Sequence, residues 1–184
     1  MIEVRNLTVR FGDKTVLDGL SAMLPDEGVV LVSAPSGRGK TTLLRAMAGL
    51  IRPDAGSVSG LSERRIGFVF QQDRLLPWKT ALENVALVSD PALAERFLMA
   101  LGLSEALHKY PAELSGGMAR RCAIARALAY TDDVLFLDEP FTGLDEAAKA
   151  EAAQLITQRA RLTVLVTHEE SDQERFPLAA RIDL

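Results

Sequence analysis

Cysteine is nearly missing from this chain: Cys122 is the only one in 184 residues. That excludes an intramolecular disulfide, argues against a cysteine-based zinc site and fits a reducing compartment. Long apolar runs are missing as well. No stretch approaches the roughly 20 residues needed to span a bilayer, and Met1–Asn6 lacks the charged-then-apolar layout of a secretory signal. Any membrane role is therefore expected to come through a partner. There is no excess of positive charge, since 21 Lys and Arg stand against 25 Asp and Glu for a net charge of −4, so nothing draws the whole chain to nucleic acid or anionic lipid. Arg120, Arg121 and Arg126 gather in one segment, where a solvated helix face explains them at least as well as a basic patch. Repeats, low-complexity tracts and long linkers are absent. With 48% hydrophobic and 25% charged residues, the chain reads as one domain over residues 1–184.

Residues 2–10 and 15–24 alternate and are rich in β-branched side chains, with Gly12-Asp13-Lys14 between them as hairpin punctuation. Val29–Val32 predicts a buried strand and Thr41–Leu50 a helix after it. Pro53, Gly56 and Gly60 mark turns, and Ile66–Phe70 predicts another strand. The pattern is helical from Thr80 to about Ala129, with Leu82, Val85, Ala86 and Val88 on one face and Leu93, Phe97, Leu98 and Leu101 on another. Val134–Leu137 and Leu162–Val166 predict buried strands on either side of a helix over Asp145–Ala160. Alternating strands and helices at both ends of the chain predict an α/β fold with a mostly parallel sheet, into which a helical lobe of about residues 75–129 is inserted.

The loop Ser33-Ala34-Pro35-Ser36-Gly37-Arg38-Gly39-Lys40-Thr41-Thr42 lies between the buried strand at 29–32 and the helix at 41–50. A loop in that place can aim several backbone N–H groups at one anion, reinforced by the helix dipole. Gly37 and Gly39 allow phosphates to approach closely, Lys40 can reach the β- and γ-phosphates, and the Thr41 hydroxyl can bind Mg²⁺. The phosphate-loop pattern has glycine where this chain has Ala34. The substitution costs about 1–2 kcal/mol if φ there is positive and is neutral or slightly stabilising if φ is negative. Arg38, between the glycines, projects toward solvent or a partner. A second acidic element, Val134-Leu135-Phe136-Leu137-Asp138-Glu139, ends an apolar strand with two carboxylates. Ligands sit at the carboxyl ends of parallel strands, so Asp138 can join the Mg²⁺ shell and Glu139 can orient or deprotonate an attacking water.

Leu114-Ser115-Gly116-Gly117-Met118-Ala119-Arg120-Arg121 resembles the LSGGQ signature of ATP-binding cassette (ABC) ATPases, and the order of the remaining motifs is similar to that family along nearly the whole chain. Phe11 resembles its adenine-stacking aromatic, and Ala34–Thr41 its Walker A loop, followed by Thr42. Gln71 resembles the Q-loop glutamine, Val134–Glu139 Walker B, Leu144-Asp145 the D-loop, and Val166-Thr167-His168 the switch histidine. The resemblance implies ATP and Mg²⁺ as ligands, with Thr41, Gln71 and Asp138 at the metal and Glu139, Gln71 and His168 in catalysis. It also implies a small antiparallel β lobe beside the core, and a head-to-tail dimer in which two ATP molecules lie between one subunit's Walker A and the other's signature. Ser115, Gly116 and Gly117, at the start of a helix, offer the second anion site that such an assembly needs. Met118 takes the place of the usual glutamine, removing one polar side chain. His108 has no comparable context and receives no role.

Leu75-Leu76-Pro77-Trp78 after Gln71 is similar to the nitrate, sulfonate and taurine importer group. These apolar side chains suit either docking onto an integral membrane permease or pinning the lobe to the core. The resemblance implies a cytoplasmic subunit, peripheral on the inner face of the membrane, working indirectly with a solute-binding protein and not with nucleic acid. The span Ile51–Phe70 is compressed, which trims the β lobe, and Ala180–Leu184 falls where a last core strand would, leaving no room for a C-terminal regulatory domain. Two other functions compete with a transport ATPase. One is a nucleotide-binding regulatory or assembly module with weak or no turnover, against which Lys40, Asp138, Glu139 and His168 argue. The other is a DNA-repair or translation relative, whose coiled-coil arms or paired cassettes have no counterpart in this chain.

Overall fold

Three uninterrupted apolar runs set the architecture. In the computed structural model, which describes residues 1–184 throughout, they become strands β3 (Gly28–Ser33), β6 (Val134–Asp138) and β7 (Leu162–Val166). Every residue of β6 and β7 is buried, as expected for inner strands of a parallel sheet covered on both faces. With β5 (Ile66–Val69) and β8 (Leu178–Asp183) they form a sheet in the order β5-β6-β7-β3-β8, parallel at every pairing. Side chains alternate between two cores. Val29 and Leu31 of β3 face a cluster shared with the helical lobe, while Val30 and Val32 face one shared with α1 (Lys40–Met47) and the smaller sheet. Phe136, fully buried in the second cluster, is worth up to about 3 kcal/mol in apolar burial.

The smaller sheet is antiparallel, in the order β2 (Lys14–Leu24), β1 (Ile2–Phe11), β4 (Ala55–Ser59). The hairpin at Gly12 forms as the sequence predicts. Strand β4 was not legible, because Gly56 and Gly60 read as turns. Gly56 has φ 82°, and a Cβ there would lie 2.3 Å from the Asn6 carbonyl oxygen. Its glycine answers to close backbone approach against β1 and not to a change of chain direction. Leu178–Asp183 pairs in parallel with β3 at the edge of the parallel sheet.

The helical stretch divides into α2 (Ala81–Ala86), α3 (Pro91–Ala100) and α4 (Gly116–Tyr130), with short 3₁₀ turns at Ser104–Ala106 and Pro111–Glu113. Each break has a local cause. Thr80 and Glu83 form a reciprocal capping box at α2, Asp90 caps α3 with Pro91 in its first turn, and Ser115 accepts from Met118 N to start α4. Helices α5 (Glu146–Arg159) and the short α6 (Glu170–Gln173) flank β7. Cys122 of α4 is buried, its Sγ 3.7 Å from the Ala81 carbonyl, and burial pushes its thiol up to about 12.

Asn84 of α2 is fully buried and ties the lobe to the segment before it. Its Nδ2 donates to the carbonyls of Leu76 (3.2 Å), Lys79 (2.9 Å) and Thr80 (3.0 Å), and its Oδ1 accepts from Leu76 N at 2.7 Å. Asn84→Ala leaves Leu76 N and the Lys79 carbonyl without their partner and is expected to lower unfolding stability by about 2–3 kcal/mol, read from urea denaturation. A loss near zero would mean that water replaces the side chain.

Candidate active site

A cavity of about 270 Å³ opens at the carboxyl ends of the parallel strands. It is lined by Val16, Ser36, Gly37, Gly39, Lys40, Thr41, Thr42, Gln71, Asp138, Glu139, Val166 and His168. All but Val16 belong to motifs predicted from the sequence. Val16 comes from β2, and as an ordinary strand residue it carried no signal of a site.

The loop between β3 and α1 curls over the start of α1. Gly39 is its N-cap with φ 92°, and a Cβ there would meet Val16 Cγ1 at 2.9 Å and the Val16 carbonyl at 3.1 Å, so this position requires glycine. Lys40 is buried, and its Nζ donates to the Ala34 carbonyl (2.7 Å) and the Pro35 carbonyl (3.3 Å). Only Asn6, Arg74 and Glu139 have positive φ among the non-glycine residues. Ala34 therefore sits in an ordinary backbone region, which settles the question raised by its missing glycine. Arg38 is exposed, as expected.

Asp138 ends β6 and is buried, accepting from Thr41 Oγ1 at 3.1 Å. Its Oδ2 is buried with no hydrogen-bond partner. Burial holds its carboxyl above the usual range, partly offset by the Thr41 hydrogen bond and the charges of Arg45, Lys40 and Arg120. Glu139 has φ 52°, a strained conformation for a residue with a side chain. Its N–H donates to the Val166 carbonyl at 2.9 Å, which fastens the end of β6 to β7. Glu139 Oε2 accepts from His168 N at 3.3 Å, and its Oε1 lies 3.0 Å from His168 Nε2. Burial raises this carboxyl too, against the opposing charge of His168.

The fit to a magnesium-bound nucleotide can be judged from these groups. No cluster of three His, Cys, Asp or Glu side chains able to hold a metal exists in the chain. One hydroxyl, one buried carboxylate with an unpartnered oxygen and an amide are oxygen donors of the kind Mg²⁺ takes, and they would hold it only together with phosphate oxygens and water.

The remaining predicted residues lie outside the cavity. Phe11 is 56% exposed at the end of β1. Ser115, Gly116 and Gly117 start α4 and do not line the cavity, so within one chain the signature and the phosphate loop do not share a pocket. Met118 packs against the first core cluster, where a glutamine would bring an amide. Asp145 caps α5 by accepting from Ala148 N at 2.9 Å. Leu75 packs against the same core and Leu76 is half-buried, while Trp78 is 68% exposed. The Leu-Leu-Pro-Trp element thus packs Leu75 against the core and presents its tryptophan. A charge network that the sequence did not suggest supports the stretch after β7. Buried Lys149 of α5 pairs with Glu169, with Asp172 at 3.1 Å and with Glu146 at 3.6 Å, and Asp172 accepts from Thr167 Oγ1 at 3.2 Å.

Comparison with known proteins places this geometry. A family model described as ABC transporter matches residues 17–142. The aliphatic sulfonates import ATP-binding protein SsuB 3 of Paraburkholderia xenovorans (strain LB400) is 41% identical over 98% of this chain and 75% of its own length. SsuB 2 of Pseudomonas syringae pv. syringae (strain B728a) is 43% identical over 98% of this chain and 68% of its own. Among solved structures, the dimeric post-hydrolysis state of the ATP-binding cassette MJ0796 bound to ADP and Pi superposes with a TM-score of 0.84 at 29% identity, covering 96% of this chain and 91% of that one. With its phosphate loop, paired carboxylates and signature helix in this arrangement, the chain belongs to the ABC transporter family as an ATP-hydrolysing cassette.

Proposed function

We propose that this cassette drives import of a small anionic solute of the aliphatic sulfonate class through a separate membrane permease. The convergence of Lys40, Thr41, Gln71, Asp138, Glu139 and His168 on one cavity carries the ATPase part of this reading. The names of the relatives supply the direction and the solute class. No helix is long and apolar enough to cross a membrane, so translocation falls to the permease, with this subunit on the cytoplasmic face and a solute-binding protein acting on the other side. Trp78, exposed beside the helical lobe, suits the permease contact.

In this reading the backbone N–H groups of Ala34 to Thr42, Pro35 excepted, cradle the phosphates at the start of α1, with Lys40 neutralising the β- and γ-phosphates. Ser36, Gly37, Gly39 and Thr42 line that cradle, Arg38 borders it, and Phe11 stacks on the base. Thr41, Asp138 and Gln71 would hold Mg²⁺, whose chemistry there is to draw charge from the phosphate oxygens as the bond breaks. Glu139 takes the proton of the attacking water, and its raised proton affinity suits a general base. His168, held against Glu139, faces the γ-phosphate. Ser115, Gly116 and Gly117 of a second copy close the nucleotide from the other side, with Asp145 at the same junction. The dimeric cassette structure of 0.84 TM-score supports that assembly. A module that only bound nucleotide would have no use for a carboxylate both strained and desolvated, as Glu139 is.

Glu139→Gln is expected to retain ATP binding while Mg-ATPase turnover falls at least about 100-fold, and to elute with ATP as a dimer in size-exclusion chromatography. Turnover near that of the unmodified chain, or a monomer at high protein concentration, would overturn this reading. Ala34→Gly should leave ATP affinity within about twofold and lower unfolding stability by about 0.4–1 kcal/mol, because glycine loosens the unfolded chain. Calorimetric titration and urea denaturation measure the two effects, and a large gain in affinity would contradict the backbone angle described above.

A further inference from the structure

The loop after β5 carries Gln71 into the cavity with little support of its own. Between Phe70 and Leu75 its backbone makes no hydrogen bond to other backbone groups, and Arg74 within it has φ 49°. Two arginines of α4 hold it instead. Arg120, 5% exposed, donates from Nη1 to the Phe70 carbonyl at 2.7 Å and from Nη2 to the Gln71 carbonyl at 2.5 Å. Its Nε lies 3.1 Å from Asp73 Oδ1. Arg126 donates to the Asp73 and Arg74 carbonyls, both at 2.9 Å. The carbonyls of Phe70, Gln71, Asp73 and Arg74 are thus all engaged by the one helix whose first turn is the signature motif.

The geometry points to Arg120 as the positioning residue for Gln71: its guanidinium ties the Gln71 backbone to the signature helix, so that the glutamine follows α4 and not the sheet. A planar guanidinium donates to two carbonyls at once while its charge faces the Asp73 carboxylate, a fork that lysine or glutamine cannot reproduce. Charged hydrogen bonds of this kind in a buried setting are strong and costly to break. The sheet side offers the covalent link through Val69, whose pairing with Leu137 ends the β5–β6 ladder, and the stacking of the Phe70 ring on Phe68 at 4.2 Å, but no hydrogen bond to the Gln71 backbone. A shift of α4 relative to the sheet, such as closure onto a second copy would impose, therefore carries the Gln71 backbone with it. The inference rests on the reading of Gln71 as a group used in turnover.

A double-mutant cycle separates this role from simple support of the lobe. Mg-ATPase kcat and KM are measured for Gln71→Ala, Arg120→Gln, Arg120→Lys and the Gln71→Ala/Arg120→Gln pair, with thermal midpoints alongside. If Arg120 acts through Gln71, Arg120→Gln lowers kcat about tenfold with KM for ATP unchanged within about twofold. The pair is then no slower than Gln71→Ala alone. Arg120→Lys, which keeps the charge and loses the fork, gives a smaller fall and the milder variant if glutamine unfolds the lobe. Falls in kcat that multiply in the pair, or a kcat unmoved by either Arg120 variant, would overturn the proposal while leaving Gln71 in place. Full activity of Gln71→Ala would instead overturn the reading of Gln71 on which it rests.

Discussion

Parallel pairing imposes one direction on β5, β6, β7 and β3, and everything at the site follows from that direction. Neighbours in the sheet end side by side, with Val69 opposite Leu137, Asp138 opposite Val166 and Val166 opposite Val32. The residues that follow each strand end have nowhere to go but the same rim. Gln71, the Asp138–Glu139 pair, His168 and the phosphate loop reach it from four separate regions of the chain. The register is held by side chains of β6 and β7 that are buried on both faces, so a one-residue slip would turn each strand's side chains onto the opposite face. A few apolar strands thus align a catalytic surface to which they contribute little chemistry.

Against that ordered floor the electrostatics are uneven. Asp138 and Glu139 are both desolvated and both hold their protons more tightly than free carboxyls, while Lys40 is turned onto the carbonyls of its own loop. A buried carboxylate with an unpartnered oxygen is unfavourable in isolation, so the apolar cores support a site that does not stabilise itself. A ligand that brings cations to Asp138 and anions to Lys40 stabilises the fold by mass action as it binds. Exposed pairs such as Arg5 with Glu3 contribute little in either direction.

Much of this was legible in the sequence because strongly patterned runs behave as their patterns say. The strands at 29–32, 134–137 and 162–166 and the helices after Thr41 and Asp145 appear within a few residues of where periodicity puts them. The Thr41–Asp138 contact spans 97 positions and followed only from the order of motifs, since no local pattern brings those residues together. What escaped has physical reasons. Strand β4 is short and mostly exposed, and its Gly56 serves close packing. Arg120 counted as part of a solvated face, because charge pattern cannot tell a guanidinium in water from one that has found backbone carbonyls. Met118 looked like a lost polar group, and in the fold it is lobe packing. The Lys149 network depends on where α6 returns, and four helical residues leave almost no trace in a pattern.

The chain's single cysteine has a practical side. Cys122 is closed inside the helical lobe, and burial pushes its thiol up to about 12, which disfavours the thiolate that reacts. The folded protein is expected to be nearly silent toward maleimides and mild oxidants. One cysteine placed on the surface, beside Trp78 or at the start of α4, would therefore be the sole labelled atom. Distance or mobility probes could then follow the lobe without first stripping the native sequence of competing thiols.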